Sequence, residues 1–154
     1  MINKTIILHY LIPTSLVRGI LPSAELLNKY RSIGIYSDFV NAIKQGNLAL
    51  FDKSLISYQK ILIKWGTWLV IERARILVVR QLFRKIWLIL DKPSRMTIDT
   101  FLQGVIFSSK DIDISTEHVS CLIVNLIGAG YMKGYISHEK QTVVLSNKDP
   151  FPKI

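Results

Sequence analysis

Along this chain apolar residues recur at helical spacing until about residue 128, and then the period changes. Residues 2–18 predict a helix that Pro13 kinks or divides, because proline lacks the N–H of the ladder and crowds the preceding turn. Ser23 is the expected N-cap for Ala24–Tyr30, with Leu26 and Leu27 facing inward. Tyr36–Gln45 carries Phe39, Val40 and Ile43 as its apolar stripe and ends at Gly46. Asn47 then caps a predicted helix running to about Lys64, with Leu48, Phe51, Leu55, Tyr58 and Leu62 at spacings of three, four, three and four. Gly66 marks the next break. Trp68–Leu90 is the longest helical segment and is apolar all round, as in a helix buried among others. Short helices joined at Gly or Pro read as a stacked array of helical hairpins, without a clean sequence period.

Lys92–Arg95 reads as a linker, after which Thr97 caps Ile98–Phe107, with Phe101, Leu102, Val105 and Ile106 as the inner face. Asp111–Ser115 reads as a turn, followed by a helix over 116–128 with Val119, Leu122, Ile123, Leu126 and Ile127 on one face. Gly128 and Gly130 offer backbones that can close it in the left-handed conformation. Tyr131–Ser137 and Gln141–Ser146 then have the aromatic and branched content of strands, joined by a polar turn around His138–Gln141. Helix, helix, two strands is the order of a winged helix. The closing Asp149-Pro-Phe-Pro cannot extend a ladder, because neither proline donates. The expected fold is mainly α: a stacked helical-repeat part (1–92), a winged-helix subdomain with a small antiparallel β-hairpin (93–148), and a tail (149–154).

Charge divides the chain further. Residues 1–95 hold 15 Lys and Arg against 5 Asp and Glu, a balance of +10, whereas residues 96–154 hold 5 against 6. A positive surface of this size suggests an anionic partner: nucleic acid, an acidic protein or a membrane surface. No stretch reaches the ~18 uninterrupted apolar residues of a membrane span, and His9, Tyr10 and Pro13 argue against reading the N-terminus as a secretory signal. The single cysteine, Cys121, cannot form an internal disulfide, which points to a reducing compartment. It reads as a buried structural thiol rather than a nucleophile.

No catalytic constellation stands out, so a non-enzymatic role is expected and no cofactor is assigned. His9, His118 and His138 share no metal-ligand spacing. His138 reads as a surface turn residue, and Asp111 and Asp113 as carboxylates favoured ahead of a helix N-terminus. A base-reading second helix carries Arg, Lys, Asn or Gln toward the major groove. Here that helix shows Glu117, His118, Ser120 and Asn125, with no Lys or Arg between Lys110 and Lys133. Sequence-specific duplex binding is therefore not expected, and Glu117, His118, Tyr135 and His138 are candidates for a partner interface instead. Candidate nucleic-acid contacts are Lys60, Lys64, Lys85, Lys92, Arg95, Lys133, Lys140, Lys148 and Lys153, each adding salt-dependent affinity for phosphate. Arg73, Arg80 and Arg84, at offsets of 0, 7 and 11, share ~40° of one helix face. Internal pairing with Glu72, Asp52 or Asp91 is the favoured reading of this cationic stripe, and docking of an acidic partner or nucleic acid is the other.

Several segments resemble one family: YLIP at 10–13, PSAELLNKY at 22–30, GNL at 46–48 with Phe51 and Asp52, Glu72-Arg73 with Arg80, Leu82-Phe83 and Lys85, NLI at 125–127, KGYISH at 133–138 and DPFP at 149–152. The chain resembles the PCI-domain subunit of the second-type TREX nuclear mRNA-export complex, with its signalosome- and splicing-associated relatives. The resemblance implies a helical stack fused to a winged helix and a place in a hetero-oligomer rather than a homo-oligomer. The implied partners are a scaffold subunit, a small acidic Sem-type subunit, and RNA or DNA bound without sequence specificity. It also implies residence in the nucleus, with the cytoplasm as a second compartment, and no membrane partner. Family members carry further helices ahead of the YLIP segment, so a shortened chain is expected, and Asp149 stands where the family has Asn. The rival implication is a purely structural assembly module of a signalosome- or proteasome-lid-like complex, without nucleic-acid binding.

Overall fold

The computed structural model describes residues 2–154. The described chain is mainly helical, as the sequence pattern predicts, and carries one antiparallel sheet of three strands where a two-stranded hairpin was expected. It packs as two compact units, divided between Val78 and Val79.

In the first unit, α1 (Ile2–Val17) contains Pro13, and α2 (Ala24–Lys29) starts where the Ser23 hydroxyl accepts from Leu26 N–H. A short 3₁₀ turn (Arg31–Ile33) leads to α3 (Tyr36–Gln45), and Asn47 caps α4 (Leu48–Ser57) by accepting from Leu50 N–H at 3.0 Å. The predicted helix to Lys64 is in fact two: α5 (Gln59–Lys64) begins after a bend at Tyr58, whose φ of −99° and ψ of 6° leave the helical region. The Tyr58 hydroxyl donates to Asp38 at 2.9 Å, a tie to α3 that accompanies the bend. Trp68–Leu90 is also divided. α6 (Trp68–Arg73) and α7 (Arg75–Ile89) meet at Ala74, where Ala74 N–H donates to Ile71 O and Leu77 N–H to Ala74 O, both three residues apart, tightening the turn. The core of this unit is Leu16, Ile33, Tyr36, Phe39, Leu48, Phe51, Leu62 and Ile71, with α1 against α6 and α3 against α4. His9 is buried there, its ring stacked 4.2 Å from that of Trp65. Its Nδ1 lies 3.4 Å from the Tyr36 hydroxyl oxygen, and that hydroxyl donates to His9 O. Burial lowers the His9 pKa and pushes the Tyr36 phenol up to about 12.

In the second unit, the segment expected to be only a linker contributes a strand. β1 (Arg95–Thr97) pairs antiparallel with β3 (Thr142–Leu145), which also pairs with β2 (Gly134–Ser137), so the sheet order is β1-β3-β2. Met96 and Ile136 both lie opposite Val143. Thr97 caps α8 (Ile98–Ser109) and Ser115 caps α9 (Thr116–Gly128), each through its hydroxyl. Gly130, not Gly128, takes the left-handed turn after α9, with φ of 76°. Gly134 answers a different demand: a Cβ there would run into the backbone oxygen of Val144 on the paired strand. The core gathers Phe83, Met96, Ile98, Phe101, Val105, Val119, Ile123, Leu126, Met132, Val143 and Leu145.

The last residues join that core. Pro150 and Phe151 are buried, with the Phe151 ring 5.7 Å from Trp87. Lys133 N–H donates to Pro150 O at 2.8 Å, and the Arg80 guanidinium donates to Phe151 O and Pro152 O at 3.3 and 2.6 Å. The other end of the long apolar segment is less buried than its composition predicts: Leu88, Ile89 and Leu90 are exposed.

Candidate partner and nucleic-acid interface

Helix α9 supplies the first candidate surface. Its buried residues Val119, Ile123 and Leu126 leave Glu117, Cys121, Val124 and Gly128 outside, at offsets of 0, 4, 7 and 11. At ~100° per residue these four lie within ~60° of one line. Cys121 is therefore exposed and free, contrary to the expectation of a buried thiol. The reason is geometric. It stands two residues from both Val119 and Ile123, ~200° around the helix from each, so the apolar run conceals which face it occupies. Ile112, ahead of α9, and Phe107, at the end of α8, add exposed apolar area, 81% and 75% accessible. Lys110 Nζ sits 4.4 Å over the Phe107 ring. Glu117 and His118 occupy the exposed first turn of α9, where hydrogen bonds from its own N–H and the Ser115 hydroxyl hold the Glu117 carboxyl below the usual range. Tyr135 is exposed on β2, an edge strand, and His138 is exposed in the hairpin turn. The four candidate interface residues thus form two groups, one at the start of α9 and one on the hairpin.

The candidate cations are more dispersed. Lys60 and Lys64 are exposed on α5, Lys85 is half-buried on α7, and Arg95 is exposed on β1. Lys133 is exposed just before β2, Lys140 in the turn, and Lys153 near the C-terminus. Two of them come together. The β1–β3 pairing sets the residues before β1 beside those after β3, with Leu145 N–H donating to Ser94 O at 2.8 Å. Lys92 and Lys148 thereby line one cleft of about 290 Å³, shared with Trp87, Pro93, Ser94, Ser146, Asn147 and Pro150. The Trp87 indole N–H is held by Pro93 O at 3.1 Å. No sequence signal marked Trp87, Ser94, Ser146 or Asn147, because their proximity exists only once β1 is paired.

The expected stripe of Arg73, Arg80 and Arg84 is not one line. The break at Ala74 puts Arg73 on α6, where it is exposed, and the other two on α7. The expected carboxylate pairing belongs to Arg75, which makes a two-pronged ion pair with Asp52 at 2.7 and 2.9 Å. Arg80 pairs with backbone oxygens of the tail instead, and its Nε is buried without a partner. Burial, with the Arg84 charge adding to it, lowers the Arg80 pKa. Among the described residues, no group of three or more His, Cys, Asp or Glu could hold a metal ion, and no helix is long and apolar enough to cross a membrane.

The PCI domain matches residues 55–147, from within α4 to just past β3. The chain belongs to the PCI-domain family. It is 36% identical over 152 residues to PCI domain-containing protein 2 of Xenopus laevis, covering 99% of this chain and 37% of that protein. It is 40% identical over 153 residues to the Protein CSN12 homolog of Schizosaccharomyces pombe, covering 98% of this chain and 36% of that protein. The PCI domain-containing protein 2 homolog of Drosophila melanogaster is 36% identical over 152 residues, covering 99% and 38%. The chain thus spans little more than a third of the length of these curated relatives. Membership accounts for the order seen here, short paired helices followed by a winged-helix-like end.

Proposed function

We propose that this chain is a non-enzymatic scaffold module whose winged helix docks a partner protein. The observation that carries the reading is the outward line of α9: Glu117, Cys121, Val124 and Gly128, exposed and without a cation, with exposed Ile112 and Phe107 in the chain ahead of the helix. A phosphate backbone is repelled by Glu117 and gains nothing from Val124, whereas a protein surface buries both kinds of group. The finer reading is a place in a nuclear mRNA-export complex, beside a scaffold subunit and a small acidic Sem-type subunit. Val124 is 53% exposed, so Val124→Arg leaves the thermal melt unchanged and abolishes co-elution with the scaffold subunit. Co-elution that survives the change overturns the docking face.

Within that complex the basic surface contacts RNA or DNA without reading sequence, a reading supported by the formal charge of +9 and the exposure of Lys60, Lys64, Lys133, Lys140 and Lys148. The competing assignment, a purely structural module of a signalosome- or proteasome-lid-like assembly, has the same docking face and no nucleic-acid affinity. Filter binding of single-stranded RNA at two salt concentrations separates them. Binding that weakens with salt and falls in Lys133→Glu/Lys140→Glu/Lys148→Glu, with assembly intact, supports the export reading. Absent or salt-insensitive binding, alone and with partners, leaves the structural module.

A further inference from the structure

The cleft behind β1 has a chemistry of its own. It is lined by two lysines, two serines, an asparagine, a tryptophan and two prolines, and no carboxylate is among them. At about 290 Å³ it is at the small end of the ~300–1,000 Å³ of ligand pockets, room for a nucleotide-sized group and not for a folded peptide. Among the described residues neither Lys92 nor Lys148 forms an ion pair. The frame is constrained: Asp91 and Lys92 both adopt left-handed backbones, φ 60° and 56°, as Lys92 N–H returns to Trp87 O at 2.9 Å. Non-glycine residues are disfavoured in that region because Cβ crowds the following carbonyl oxygen, so the Lys92 backbone is held beside Trp87 by the α7 terminus and not by its own preference.

We propose that this cleft binds a nucleoside 5′-monophosphate, either free or as the phosphorylated 5′ end of a strand. The charge selects the phosphate form. The lining carries two positive charges, which match the ~1.5–2 negative charges of a phosphomonoester better than the single charge of a phosphodiester inside a strand. Lys92, Lys148, Ser94, Ser146 and Asn147 offer donors for its terminal oxygens, and Trp87 with Pro93 and Pro150 offers an apolar wall for a heterocycle. The proposal goes beyond the nucleic-acid reading above and does not require it, because a free mononucleotide satisfies the same groups.

The test follows the indole ¹⁵N–¹H resonance of Trp87 in the full chain, assigned with Trp87→Phe, during titration with adenosine 5′-monophosphate, adenosine, inorganic phosphate, and an octanucleotide with and without a 5′ phosphate. The monophosphate shifts this resonance saturably and leaves those of Trp65 and Trp68 in place. Adenosine binds at least tenfold more weakly, and Lys92→Gln and Lys148→Gln each lose about tenfold, as expected for a charge-assisted hydrogen bond. Lys60→Gln, on the other unit, changes nothing. The 5′-phosphorylated octanucleotide moving Trp87, with the unphosphorylated one failing to, assigns the strand end as a source; movement by the mononucleotide alone assigns the free nucleotide. An unmoved Trp87, equal shifts with adenosine, or lysine variants that bind as well as the parent overturn the site. Inorganic phosphate binding as tightly as the monophosphate overturns its nucleotide character. RNA retained on a filter while Trp87 stays unmoved rejects the cleft and leaves the proposed surface standing.

Discussion

Removing the Phe151 side chain tests whether the last residues belong to the winged-helix core. Phe151 is 5% exposed, against Trp87, and its carbonyl accepts from Arg80. Phe151→Ala removes a buried aromatic ring and leaves a void between the tail and α7. Such truncations cost ~3–5 kcal/mol when the surroundings cannot collapse, against ~5–15 kcal/mol for a whole domain. At ~2–4 °C per kcal/mol for a chain of this size the midpoint falls by ~6–20 °C. Thermal melts followed by circular dichroism read the shift, with two comparisons. Phe151→Leu keeps most of the volume and costs about 1 kcal/mol. Ile154→Ala, at a position 40% exposed, stays within ~0.5 kcal/mol.

A double-mutant cycle with Arg80→Met sharpens the result. Arg80 donates to the carbonyls of both Phe151 and Pro152, so a seated ring and a held backbone are coupled. Residues in such contact show interaction energies of ~0.5–3 kcal/mol. A Phe151→Ala midpoint within ~2 °C of the parent, or additive losses in the cycle, would refute the seating of the tail against Trp87.

Other outcomes test separate parts of the chain. Gly134→Ala drives a methyl into Val144 O on the paired strand, where backbone cannot yield, and lowers stability by ~1–3 kcal/mol in a urea titration; an unchanged midpoint means that the β2–β3 register differs. His9 is buried and its pKa is lowered, so as pH falls below ~6.5 the unfolded chain takes up a proton that the folded chain refuses, and stability declines by up to ~1.4 kcal/mol per pH unit until the folded pKa is passed. His9→Phe removes that decline between pH 7.5 and 5.5 and keeps the ring on Trp65; a parent curve flat over this range refutes the buried neutral imidazole. Cys121 reacts completely with a thiol reagent under native conditions, as its exposure requires, and reactivity that appears only in denaturant would restore the buried thiol.

How much of this was legible in the sequence depended on the range over which each signal acts. Caps are local, so Ser23, Asn47 and Thr97 were readable from a few residues, and each side-chain oxygen accepts from the expected N–H; Ser115, read only as the end of a turn, caps α9 in the same way. The bends at Tyr58 and Ala74 were not, because neither is Gly or Pro and both keep the apolar period intact; Tyr58 is tied to Asp38, twenty residues away. The break at Ala74 separates Arg73 on α6 from Arg75 on α7, and it is Arg75 that meets Asp52. β1 has three residues, too few for alternation to register. Only its partner, some 47 positions further along, makes it a strand.

That short ladder also explains why the two candidate surfaces of the second unit carry opposite chemistry. The α9 line is local: its composition follows from one helix, and a carboxylate with apolar neighbours suits a protein face. The cleft is nonlocal, since Lys92 and Lys148 meet only where β1 and β3 pair. A change that weakens the β1–β3 ladder without touching either lysine, such as Met96→Asp at a buried position opposite Val143, therefore dissolves the cleft by separating its walls. Helix α9 keeps its own outward line as long as Val119, Ile123 and Leu126 remain covered. Loss of nucleotide affinity ahead of loss of partner docking, as denaturant is raised, is the order this difference demands, because a site assembled from two distant segments opens with the weakest pairing between them.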